Sequence, residues 1–296
     1  MSIAPERSRI AFQKTERALL KLASAQDAES VHTFRTTSRR LQTLLEQILT
    51  DRDRNQKKLL KLLERIRKRA GKVRDIDVQL AALRSLKVLQ EPRRKTQLVH
   101  GLIELRAKHE RRLGKMLKKE TIREIRKRLK RASKNLENGS GRDAMAVARK
   151  MLSEVVRPAG PVTEDVLHQY RIAVKRARYA AEFAPKSTQA AQFITQLKRL
   201  QDAVGNWHDW LTLTQTASRQ IGEVSQSSLV AALHNVTSGK FRHAVAALSA
   251  SSTIRPAVNE PTTAEIAPRT VLLNAVPSRK AGSSLATPVG RDLTAA

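Results

Sequence analysis

Residues 31–48 read VHTFRTTSRRLQTLLEQI, placing a histidine and three arginines ahead of a leucine-rich end. At about 100° per residue, Phe34, Leu41, Leu45 and Ile48 gather on one side of a helix and predict a core seam. His32, Arg35, Arg39 and Gln42 recur at i, i+3, i+7 and i+10 and form a second stripe, roughly 120–140° round the same wheel. A run of charge is usually a solvated face. Here few carboxylates stand at i+4 to neutralise the stripe.

The stretch also recurs. LHQYRIAVKRARYAAEFA, residues 167–184, superposes His168 on His32, Tyr170 on Phe34, Arg171 on Arg35, Lys175 on Arg39, Arg176 on Arg40 and Glu182 on Glu46. Its apolar side is Leu167, Tyr170, Val174, Ala177 and Ala181, and its stripe is His168, Arg171, Lys175 and Arg178. One helix later, between LLERIRKRAGKVRDIDV (62–78) and ITQLKRLQDAVGNWHDW (194–210), an offset of 134 brings Gly71 onto Gly205 and Asp75 onto Asp209. The offsets nearly agree, 136 from His32 to His168 and 134 from Asp75 to Asp209. Duplication with preserved order predicts two similarly folded helical halves, about 6–136 and 142–249. The halves differ in charge: the helix after the first stripe adds Lys57, Lys61, Arg65, Lys68 and Lys72, whereas its duplicate has Lys198 and Arg199 in the corresponding region.

Leu and Ala keep helical spacing over most of residues 6–248 and alternating β-branched runs are scarce, so the fold class is all-α. With breaks at Gly and Pro, the predicted helices are 6–24, 28–50, 54–72, 75–90, 93–136, 142–157, 164–184, 188–205, 208–222 and 227–249. Residues 250–296 turn to Ser, Thr, Ala and Pro without periodicity and predict a disordered tail. That tail holds five Lys or Arg against three acidic residues, so the chain's net charge of +30 belongs to the helices.

A surplus of that size among 296 residues calls for a polyanionic partner, whether nucleic acid, polyphosphate or an acidic membrane surface. With two Trp, two Tyr and five Phe, a single-strand binder built on base stacking is poorly supplied with rings. The absence of cysteine excludes disulfides, thiolate metal sites and cysteine nucleophiles. No apolar run approaches a membrane span and the N-terminal MSIAPERSRIAFQK has no apolar leader core, so the expectation is an unexported, cytoplasmic protein without membrane insertion.

VHTFRTTSRR, AGKVRDIDV, LHQYRIAVKRARYAAEF and LKRLQDAVGNWHDW, in that order and spacing, together resemble the four motifs of the CHAD domain over about residues 6–249. The resemblance implies two four-helix bundles related by a pseudo-twofold axis, with the basic motif helices facing a central cavity. It also implies non-enzymatic binding of inorganic polyphosphate and association with polyphosphate granules. Carried over by position, the phosphate contacts are His32, Arg35, Arg39, Arg40, His168, Arg171, Lys175, Arg176 and Arg178, with Lys68, Lys72, Arg74, Lys198 and Arg199 behind them. Thr36, Thr37 and Ser38 stand where the family is commonly more aliphatic, and Gln42 where another arginine is common, which thins the first stripe by one charge.

Polyphosphate offers closely spaced charges and no bases, so a mixture of Arg forks and Lys point charges grips it without a fixed register. His32 and His168 have three readings: a hydrogen bond to phosphate or to the partner bundle, a metal site, or packing. Surrounding cations depress their pKa, and a bound polyanion favours protonation. Asp75 and Asp209, placed at a helix joint after a glycine, are read as supports that cap the next helix or hold a motif arginine. Asp75 and Asp77, at i and i+2, point apart and make a weak metal pair. Phe34, Tyr170, Trp207 and Trp210 are read as bundle core or rim. The competing functions are a nonspecific nucleic-acid binder and a phosphohydrolase. Some relatives carry a tunnel-type triphosphatase domain whose Glu-x-Glu-x-Lys motif is missing here, and no Gly-rich phosphate loop or nucleophile stands out. No cofactor is expected.

Overall fold

A computed structural model describes residues 5–50, 53–88, 90–134, 141–155, 160–222 and 227–251. The described chain is helical: α1 Pro5–Ser24, α2 Ala28–Thr43, α3 Arg54–Ser85, α4 Pro92–Gly114, α5 Lys119–Lys134, α6 Ala144–Ser153, α7 Glu164–Ala181, α8 Thr188–Ile221 and α9 Ser228–Ala250. A π-helical turn, Leu44–Ile48, continues α2. Among the described residues the only ladder-type pairing is an isolated bridge between Leu49 and Gly141. The tail expected to be disordered lies, from residue 252 onward, outside the described residues.

Side-chain caps start these helices by accepting from backbone N–H groups that have no carbonyl partner. Asp27 accepts from Ser30 N at 2.8 Å for α2 and Asp53 from Gln56 N at 2.6 Å for α3. Thr163 and Ser187 do the same for α7 and α8. Pro92 opens α4 at the first turn, where its missing N–H costs nothing. The Glu91 carboxylate before it accepts from Ser227 Oγ (2.7 Å) and Leu229 N (3.1 Å), so one residue caps the distant α9.

Three predicted boundaries are corrected. Residues 54–72 and 75–90 form the single helix α3, and 188–205 and 208–222 the single helix α8. Gly71 and Gly205 lie inside continuous helices, because a lone glycine costs only about 1 kcal/mol and no proline follows to enforce a break. Asp75 and Asp209 therefore cap nothing. The long element expected over 93–136 breaks after Gly114 and resumes at Lys119.

The apolar seams close into two clusters of buried side chains. The larger takes Leu19 and Leu22 of α1, Phe34 and Leu41 of α2, Leu59 and Leu63 of α3, Ile125 of α5, Leu167 and Val174 of α7 and Leu197 and Trp207 of α8. The smaller joins the C-terminal halves of α3 and α8 to α4 and α9 through Leu83, Leu102, Leu213 and Leu233. Helices α3 and α8 run through both, and that fixes the two stripe-bearing helices, α2 and α7, across from one another. Phe34 and Trp207 are fully buried and Tyr170 nearly so. Among the described residues no helix is long and apolar enough to cross a membrane.

Candidate anion-binding cleft

A cleft of about 880 Å³ lies among α2, α3, α7 and α8. Helix α2 lines it with His32, Arg35, Arg39 and Arg40, α3 with Arg74, and α7 with Arg171, Lys175, Arg176 and Arg178. Eight cationic side chains thus face four carboxylates, Glu46, Asp75, Asp202 and Asp209, a formal surplus of 8 − 4 = +4. Cations from residues about 136 positions apart in sequence share one space.

The electrostatics record that convergence. Burial lowers the pKa of Arg35, and Arg39, Arg74 and Arg171 lower it further against the opposing pull of Asp75. Arg171 is lowered by burial too, with Asp209 and Asp75 opposing and Arg39 adding repulsion. Lys175 falls to about 8, through burial first and then the charges of Arg171, Arg39 and Arg35, with Asp209 opposing. Concentrated like charge with too few counter-charges is the field that captures an anion. Nε of Arg171, Oε1 of Gln79 and Nδ1 of His208 are buried in the cleft wall without a protein hydrogen-bond partner among the described residues, an unusual clustering of unmet polar atoms.

The carboxylates hold the cations in place. Asp75 Oδ1 lies 3.8 Å from Arg35 Nη2, within ion-pair range and beyond hydrogen-bond distance. Gly71 permits this geometry: a Cβ added there would overlap Arg35 Nη1, whereas one at Gly205 meets nothing within 4 Å. Glu182 accepts from Arg40 Nε at 2.5 Å and from Arg178 Nη1 at 2.6 Å. Both guanidiniums also pack on the Tyr179 ring, 5.5 and 4.9 Å from its centroid, and Arg178 Nε donates to Gln201 Oε1 at 2.8 Å. Asp77 is drawn into a separate junction, where Arg106 donates to it at 2.6 Å and to the Gln26 carbonyl at 2.9 Å.

Five predicted positions lie elsewhere. Lys68 pairs with Glu64 at 2.7 Å on an exposed face. Lys72 stands near His109 of α4 and helps lower its pKa, after burial and Arg112. Lys198 and Arg199 are exposed and do not line the cleft. His168 is also exposed and outside the lining; its ring lies 5.5 Å from that of His208, which does line the cleft. Burial lowers the pKa of both His32 and His168, followed by Arg74 for the first and His208 for the second. Among the described residues no three His, Asp or Glu side chains converge as ligands for a metal ion. Sequence reasoning passed over His208, Glu182 and Arg67. The repeat register held the signal for His208, since an offset of 134 places it on Arg74, a residue already selected.

The CHAD domain model matches residues 7–218. Solved structures that resemble the chain include these two. One is the CHAD domain from the plant Ricinus communis, with a TM-score of 0.58 and 18% identity, covering 87% of this chain and 89% of that one. The other is PptA from Streptomyces chartreusis, with a TM-score of 0.59 and 15% identity, covering 86% and 99%. At such identities the likeness speaks for the fold. No curated protein matches the sequence.

Proposed function

The chain belongs to the CHAD domain family, a family linked in general to polyphosphate binding, and from that premise we propose that its cleft binds inorganic polyphosphate without chemical conversion. The observation that carries the reading is the joining of Arg35 and Arg39 with Arg171 and Lys175 in one cleft, where Arg39 and Arg171 lower the pKa of Arg35, Arg39 that of Arg171, and all three arginines that of Lys175. A linear polyanion relieves that repulsion at several positions at once, and its phosphates need no unique register. In this reading the cleft is the basic cavity between two repeat-related bundles, and the ligand brings the protein to polyphosphate granules.

The proposed role is non-enzymatic, with three of the four cleft carboxylates read as positioning groups. Asp75 accompanies Arg35, Asp209 bears on Arg171 and Lys175, and Glu46 accepts from Gln42 Nε2 at 2.8 Å. The net charge of +30 supports a second reading, nonspecific nucleic-acid binding. Calorimetric titration with long-chain polyphosphate, and with duplex and single-stranded nucleic acid at equal phosphate and near-physiological salt, separates the two. Selective tight binding of polyphosphate is expected; equal heats and affinities for all three polymers would reduce the cleft to a nonspecific polyanion surface.

A further inference from the structure

The two sequence halves place one Arg and one Gln in exchanged positions. At the offset of 136, Gln42 of α2 aligns with Arg178 of α7; at the offset of 134, Arg67 of α3 aligns with Gln201 of α8. In the second half the pair is closed: Arg178 donates to Gln201 at 2.8 Å and to Glu182 at 2.6 Å. In the first half it is open. Gln42 gives its amide to Glu46 at 2.8 Å, and Arg67, only 7% exposed, has a buried Nη1 with no hydrogen-bond partner among the described residues. Arg67 lies one turn before Gly71, the glycine against which Arg35 rests, and two turns before Arg74 of the cleft lining, so it shares their face of α3.

We infer that Arg67 restores to the first half the charge that Gln42 removes, as a buried cation set behind Arg35 and Arg39 that is neutralised only when a phosphate enters the cleft. The inference rests on the polyphosphate reading and adds to it a residue that positions the ligand through its field, without touching it. Burial and the charges of Arg39 and Arg35 lower the Arg67 pKa to about 10, against the opposing Glu64 and Glu46. Those are the marks of a guanidinium that the empty fold accommodates at a loss. A structural arginine stabilises the free protein; this one destabilises it and gains its counter-charge from the ligand. The Arg–Gln pair also explains how the first half tolerates Gln42: the cation has moved from the helix that lines the cleft to the helix behind it.

The test uses the full chain and inorganic polyphosphate, measuring affinity across a salt series together with the melting temperature of the unliganded protein. Arg67→Gln is expected to bind about tenfold more weakly, to lower the steepness of the log K against log salt plot by about one ion, and to melt at or above the parent temperature. Arg67→Met, which keeps bulk and drops the charge, should behave alike. Gln42→Arg added to Arg67→Gln rebuilds the closed arrangement of the second half, and is expected to return affinity to within about threefold of the parent. Parental affinity and salt slope in Arg67→Gln would overturn the inference. So would a lowered melting temperature in both single variants, or a double variant as weak as Arg67→Gln. Absence of polyphosphate binding by the parent protein is a separate result that removes the functional reading itself.

Discussion

Aligned carboxylates stand at the ends of α2 and α7, Glu46 in the π-helical turn that continues α2 and Glu182 at the C-cap of α7, yet the two are used differently. Glu182 gathers Arg178 from its own helix and Arg40 from the other half, whereas Glu46 is met at hydrogen-bond distance by the neutral Gln42. The glycines differ as well: Gly71 is overlain by Arg35, and its counterpart Gly205 faces open space. Aligned positions in the sequence carry equal residues, and the packing around them assigns unequal work. In the second half the residue facing the carboxylate is an arginine, held and neutralised; in the first it is a glutamine, and the pair carries no cation.

The strongest way to break that comparison is to reverse charge in both halves at once. Arg35→Glu with Arg171→Glu should weaken polyphosphate binding about a hundredfold or more while the far-ultraviolet helical signal persists, since each substitution removes a charge-assisted contact and adds repulsion. Unchanged affinity and salt dependence would show that the stripes are not the site. Next in size is Glu182→Ala, which leaves Arg40 and Arg178 facing each other over Tyr179. At their partial exposure the expected loss is about 1–2 kcal/mol of stability, read by denaturant melts. The glycine pair sharpens the contrast further. Gly71→Ala should displace the Arg35 guanidinium and cut affinity about fivefold without loss of stability, while Gly205→Ala should leave affinity alone and raise stability by about 0.5–1 kcal/mol.

Proton uptake gives a smaller effect with a defined sign. Lys175 has a free-state pKa of about 8, and a bound polyanion raises it. Binding therefore takes up a proton above about pH 8 and weakens as pH rises further, a dependence that calorimetry in buffers of different ionisation heat detects and Lys175→Arg abolishes. The unliganded fold shows the opposite trend. An unfolded chain holds the Lys175 proton more tightly than the native state does, so this residue's contribution to stability increases as pH rises from about 8 toward the ordinary lysine value. Smallest of all, alanine at Lys68 or Lys198 should change affinity less than about twofold, because both side chains are exposed outside the cleft.

Helical periodicity carried most of the fold, because a seam such as Phe34, Leu41, Leu45 and Ile48 states its own buried face. It failed at glycines. Gly71 and Gly205 read as joints when one strand of text is considered, and only the approach of Arg35 explains why a glycine sits mid-helix at residue 71. The repeat made Arg35, Arg39, Arg171 and Lys175 legible as a set. What it withheld was direction: Lys68 and Lys72 lie six and two residues before Arg74 but leave α3 on other faces. Arg67 was hidden for a further reason. Its significance depends on Gln42 in a different helix, and no single wheel contains both.

The first helix bears on how the chain matures. Arg7 Nη1 donates to the carbonyls of Glu182 and Ala184 at 2.8 and 2.7 Å, closing the C-terminal turn of α7 from 175 and 177 residues away. At bacterial and eukaryotic elongation speeds, ribosomes need about ten seconds or longer to make that interval. Helix α1 packs on α2 and α5, but for all of that time Arg7 lacks its acceptors, and the arginines of α2 emerge before Glu182 exists to hold Arg40. The Arg7 clasp and the Arg40–Glu182 pair beside it are therefore late events, closed only after α7 has been made.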